Sequence, residues 1–184
     1  MKTKLINLVP GQIEKLLKKR KDVLKKSGER LGIEIGGGIV EHHYPCFMDD
    51  SFNVCIIDKN GSDMWKELFE IAGVAFIFGN TKYIMIDSAE VYKESFTLNH
   101  LYAVEAHEIC HYLFEHHNII DPVHDKLCEQ EADLGAVSIL KHMKRPEAVA
   151  VIEKRYQSLY ENHKDFKLRP DLQKKLDIYI KEEL

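Results

Sequence analysis

The 184-residue chain has no long hydrophobic run. No stretch approaches the roughly 18 consecutive apolar residues of a membrane-spanning helix, so no membrane partner is expected. Its opening residues, MKTKLINLVPGQ, are basic but have no apolar core, because Pro10 and Gly11 interrupt the only candidate. Cysteine is sparse: Cys46, Cys55, Cys110 and Cys128 include no CxxC pair, which argues against a disulfide framework or a zinc finger. Reduced, buried thiols and a cytoplasmic location are expected. Neither sign of charge dominates, with 26 Lys and Arg against 30 Asp and Glu and a net charge of -4, so nothing attracts nucleic acid in general. The Gly36-Gly37-Gly38 triplet lacks the Gly-Lys-Ser/Thr of a phosphate loop and reads as a bend or bulge.

A content of 45% hydrophobic and 30% charged residues suits one compact domain spanning 1–184. Residues 12–27 place Ile13, Leu16, Leu17, Val23 and Leu24 near helical spacing, which predicts a basic amphipathic helix. No aromatic residue is interleaved among its lysines, and its charged side reads as a solvated face. Short β-like pieces follow over 31–40 and 51–58, then a short helix over 65–72. The runs VAFIF and TKYIMID flank Gly79-Asn80 and predict a β-hairpin. Helices are expected over 98–117, 123–143, 146–163 and 170–183. Strands first and helices after them predict an α+β fold, with a small, mostly antiparallel sheet and helices packed on one face.

The stretch AVEAHEICHYLFEHH, Ala103 to His117, carries the chemistry. In a helix, residues four apart lie about 40° apart around the axis and about 6 Å along it, so His107 and His111 can aim their rings at one point. Glu108 stands beside the pair, where a general base can work without becoming a ligand. In a chain with 10 His, chance alone spells HExxH in about 5% of shufflings, so the context has to decide. Tyr102, Ala106, Ile109, Cys110, Leu113 and Phe114 supply it, as an apolar arc adjacent to the His pair.

A third ligand is sought in CEQEADLGA, where Glu129 and Glu131 follow His111 by eighteen and twenty residues. At about 100° per residue, Glu129 projects beside Ala132, Ala136 and Leu140, whereas Glu131 falls with His124, Ser138 and His142. A carboxylate inside an apolar face needs a partner, and a metal is a good one. Asp133 shares that face and can accept a hydrogen bond from the second nitrogen of a ligating His. The small residues Ala132, Gly135 and Ala136 allow the two helices a close approach. His100, two turns before His107, reads as a capping or substrate-side residue, and His116 and His117 as surface residues at the helix end. His42, His43 and Cys46 in HHYPC match no familiar metal-ligand spacing.

HEICH with EQEAD resembles the gluzincin pattern of zinc metallopeptidases. Over residues 62–143 the order WKELFEIAG, GVAFIFGNTKYIMID, FTL, HEICHYLFEH, EQEAD is similar to ImmA/IrrE-like metallopeptidases. HtpX-like peptidases share HEICHYLFEH and the ExxxD spacing but are usually membrane proteins. The segment FTLNHLYAVEA is longer than the ImmA/IrrE-like pattern has at that place, and Asp133 stands where Asn is often found. The resemblance implies a zincin-like helical core and one zinc ion per chain bound by His107, His111 and Glu129. It also implies Glu108 as general base and later proton donor, and a polypeptide substrate such as a regulatory protein. The strand Lys82 to Asp87 is expected to offer an edge to an extended substrate. Tyr156, Tyr160, His142 and His163 are open candidates for stabilising the oxyanion. A rival from another class is a regulatory binding module whose zinc is structural or vestigial; a metal-dependent hydrolase of some other bond is a third reading.

Overall fold

A computed structural model describes residues 33–35, 38–58, 73–78, 80–93, 95–116, 122–160 and 165–184. The expected helices over 12–27 and 65–72 lie outside the described residues. The fold is α+β. Its contacts divide into two compact units, Met1–Leu101 and Tyr102–Leu184.

Among its described residues the first unit holds five strands: β1 (Ile33–Ile35), β2 (Gly38–Pro45), β3 (Phe52–Asp58), β4 (Gly73–Phe78) and β5 (Thr81–Asp87). Their order in the sheet is β1-β2-β3-β5-β4, antiparallel except for the parallel pair β3 and β5. Gly36 and Gly37 of the glycine triplet lie outside the described residues, and the β1–β2 ladder pairs Ile35 with Gly38. A register shift between Val40 and His42 interrupts the β2–β3 ladder. The hairpin of β4 and β5 forms as the sequence predicts, with Phe78 opposite Thr81.

One expectation is corrected by this topology. Lys82 to Asp87 is not a free edge, because β3 pairs one side of β5 and β4 the other. All the ladder groups an extended peptide would use are already engaged. The hydrophobic content of β3 and β5 explains their central position: Val54, Ile57, Ile84, Met85 and Ile86 are all fully buried, as strands covered on both faces require. After β5, Asp87 caps a single turn, α1 (Ser88–Val91), by accepting the Ala89 N–H at 3.0 Å.

Four longer helices follow among the described residues: α2 (Leu98–Leu113), α3 (Pro122–His142), α4 (Pro146–Leu159) and α5 (Pro170–Glu182). At the start of α2, the Thr97 N–H donates to His100 Nδ1 at 3.2 Å, which supports the capping reading of His100. From Leu101 to Cys110 every residue of α2 except Val104 is buried. Such a helix belongs to an interior rather than a surface. In α4 the buried residues are Ala148, Val149, Ile152 and Tyr156, and in α5 Leu172, Leu176 and Tyr179, each set forming one apolar stripe. No helix among the described residues is long and apolar enough to cross a membrane. All four cysteines are buried and free.

Candidate metal centre

The second unit brings α2 and α3 together through a glycine. A Cβ built on Gly135 would stand 2.6 Å from Cys110 Sγ and 2.9 Å from Phe114 Cζ. Only a residue without a side chain lets α3 lie this close to the HExxH helix. Gly135→Ala is therefore expected to destabilise the fold by about 1–3 kcal/mol, since both neighbours are buried and have little room to yield. Chemical denaturation should show this as a lower midpoint at unchanged slope. An unchanged midpoint would mean that the helices separate without cost.

The approach places three donor atoms in a small triangle. His107 Nε2 and His111 Nε2 are 2.9 Å apart, Glu129 Oε1 is 3.0 Å from His111 Nε2, and Glu129 Oε2 is 3.2 Å from His107 Nε2. Zinc bonds of 2.0–2.1 Å in a tetrahedron separate the ligand atoms by about 3.3 Å, close to these spacings. Among the described residues this is the group of His, Cys, Asp or Glu that could hold a metal ion. The side chains of His111 and Glu129 keep 18% and 17% exposure, so the triangle is open on one side.

The surroundings explain why the nitrogens face one another. Asp133, fully buried, accepts from His107 Nδ1 at 2.8 Å, which leaves Nε2 pointing into the triangle. The second oxygen of Asp133, Oδ2, is buried without a hydrogen-bond partner. Burial alone lowers the pKa of His107, but the bonds to Asp133 and Glu129 outweigh it and push it up to about 9. Two imidazole lone pairs aimed at each other repel unless a proton stands between them. The same requirement is met by a metal, so the donor set fits one. Burial raises the Glu129 carboxyl, yet the bonds from both histidines prevail and hold it well below the usual carboxylate range.

Glu108 is 3% exposed and lies outside the triangle. Burial pushes its pKa up, with His111 and His107 opposing the shift. Of the two carboxylates open as third ligand, Glu129 joins the histidines. Glu131 is also buried, but it accepts from His116 Nε2 at 3.2 Å and from Arg169 Nε at 2.7 Å.

The reading of His116 as a surface residue is overturned. It is 6% exposed, its Nδ1 lies 3.1 Å from His111 Nδ1, and its ring meets that of His111 edge-on. Burial, then the neighbouring His111 and Arg169, lower its pKa to about 3, which keeps the ring neutral. Five residues along a straight helix turn about 140° around the axis, so helix-face reasoning sends His116 away from His111. The chain leaves the helix first: Glu115 adopts φ 60°, a left-handed conformation, and that reversal folds His116 back. No glycine marks the position, so no sequence signal announced it.

Arg155, on α4, is the other residue that sequence reasoning missed. It donates to Glu129 Oε2 at 2.6 Å and to Asp133 Oδ1 at 3.1 Å, balancing two carboxylates at once. Its arginine type and its place one residue before Tyr156 offered a clue only if α4 was already known to lie against α3. Of the oxyanion candidates, Tyr156 accepts from Gln130 Nε2 at 2.9 Å, Tyr160 is buried, His142 is exposed, and His163 lies outside the described residues. Burial, reinforced by the nearby Asp133 carboxylate, raises the Tyr160 hydroxyl.

Compared with models of known families, with curated proteins and with solved structures, the chain matches none.

Proposed function

We propose that this protein is a zinc-dependent endopeptidase of minimal gluzincin type, acting in the cytoplasm on a flexible segment of a polypeptide. The observation that carries the reading is the triangle of His107, His111 and Glu129, partly open, with a buried Glu108 one residue along from its first ligand. His107, His111 and Glu129 would hold the ion, Asp133 would orient His107, and Arg155 would steady Glu129 and Asp133. When bound, zinc supplies Lewis-acid chemistry, polarising a carbonyl oxygen and making water more acidic.

The residues of the chain supply the proton transfers. Glu108 takes a proton from the attacking water as the new C–O bond forms, and returns it to the amide nitrogen as the C–N bond breaks. The products are a carboxylate and an amine, so no other reactant is consumed. Three protein donors leave a coordination position for the reacting groups, which a four-ligand structural site would close.

Chelator-treated protein, with and without one equivalent of Zn2+, should be incubated with unfolded polypeptides and new N-termini sought by mass spectrometry. New termini are expected only after reloading. If protein carrying one zinc cleaves nothing, the endopeptidase reading falls, and a binding module with a structural zinc takes its place.

A further inference from the structure

We infer that Arg155 is a positioning residue that makes Glu129 a one-oxygen metal ligand, and so keeps a coordination position free for the reacting groups. This rests on the reading of His107, His111 and Glu129 as a metal site. It goes beyond that reading by assigning which oxygen of Glu129 binds and what sets the choice.

The choice arises because both oxygens of Glu129 face histidine nitrogens. Oε1 lies 3.0 Å from His111 Nε2, and Oε2 lies 3.2 Å from His107 Nε2. A carboxylate placed like this can bind an ion through one oxygen or through both. Through both, two histidines and one carboxylate fill four positions, as in a closed structural site. Through one, they fill three and leave the fourth open.

Arg155 separates the two oxygens. Its Nη2 donates to Oε2 at 2.6 Å, a short charge-assisted bond that draws electron density toward the guanidinium and leaves Oε1 as the better donor to a metal. The guanidinium cannot follow the carboxylate if it turns, because its Nη1 donates to Asp133 Oδ1 at 3.1 Å. Asp133 is fully buried and also accepts from His107 Nδ1 at 2.8 Å. One planar fork thus spans the ligand carboxylate and the carboxylate behind His107. Lysine, a single point charge, has no such fork.

The helix that carries the fork is fixed by packing as well as by charge. Ala148, Val149, Ile152 and Tyr156 form the buried stripe of α4. Tyr156, next to Arg155, accepts from Gln130, next to Glu129, at 2.9 Å. Two successive pairs therefore set α4 against α3: Gln130 with Tyr156, and Glu129 with Arg155. Being a cation, Arg155 also opposes the charge of a bound metal, so affinity mixes two opposing effects. Coordination number is the cleaner readout.

The test is the visible absorption of Co2+ bound to the full chain, which is strong for a four-coordinate ion and weak for a five- or six-coordinate one. Wild type should bind one Co2+ and absorb strongly. Arg155→Gln should still bind Co2+ at saturation but lose most of that absorption, as Glu129 turns to bind through both oxygens. Arg155→Lys keeps the charge without the fork and should behave like Arg155→Gln. The Arg155 side chain is 32% exposed, so water meets part of each replacement, and circular dichroism checks that the variants fold. A weak wild-type spectrum overturns the inference without any variant. So does a wild-type spectrum in Arg155→Gln or Arg155→Lys, or a folded Arg155→Gln that binds no cobalt. In each of these cases the metal site itself stands. If wild type binds no Co2+, both fall.

Discussion

Glu108→Gln is expected to reduce peptide hydrolysis by about 100- to 10,000-fold while leaving one zinc per chain and the fold unchanged. The substitution keeps the size and shape of the side chain and removes its ability to accept a proton. Glu108 is outside the donor triangle and buried at 3% exposure, so neither metal retention nor packing depends on its charge. Each tenfold corresponds to about 1.4 kcal/mol of transition-state stabilisation, so the loss lies well above the effect of a small change in shape. Zinc content and cleavage must be measured on the same preparation, because a loss of both would point to a collapsed site. Activity within a few-fold of wild type, with zinc retained, would remove Glu108 from the reaction and the endopeptidase reading with it.

Glu129→Ala is expected to have the largest effect on metal binding. Changes to residues behind the ligands typically cost 10- to 100-fold in affinity, so loss of a ligand itself should cost more than about 100-fold. The substitution also strips Arg155 of its 2.6 Å partner and leaves that cation beside His107, which opposes a second cation in the same place. Glu131→Ala is the control. It removes a more deeply buried carboxylate that bonds His116 and Arg169 rather than the ligand triangle, so most of the zinc should remain at saturating metal. Elemental analysis of dialysed protein separates the two. Equal losses would show that the ExxxD spacing is not what supplies the third donor.

The part of this site that was legible in the sequence is the part that obeys straight-helix geometry. His107 and His111 four residues apart, and Glu129 and Asp133 four residues apart, each lie on one helix face, and the structure joins the two faces at 2.8–3.2 Å. The hairpin at Gly79-Asn80 was legible for a similar reason, since register follows from a two-residue turn. The strand order was not. β5 follows β4 directly and forms its hairpin as expected, but its pairing with β3 depends on which distant strand meets its other side, and alternation within β5 carries no record of that.

His116, Glu131, Arg155 and Arg169 mark where reading along the chain stops. Spacing sends His116 away from His111, and only the left-handed Glu115 brings it back. Helix projection groups Glu131 with polar residues, yet it is 1% exposed, because α5 covers it with Arg169. Arg155 has no spacing relation to Glu129, being 26 residues further along the chain on a helix that doubles back. The sequence by itself determined the fold class, the hairpin, and which residues of α2 and α3 share a face, because these follow from repeat geometry within one element. The tertiary structure alone decided the strand order and the contacts that His116, Glu131, Arg155 and Arg169 make around the ligands. Those depend on how separate elements meet, and local periodicity does not encode the meeting.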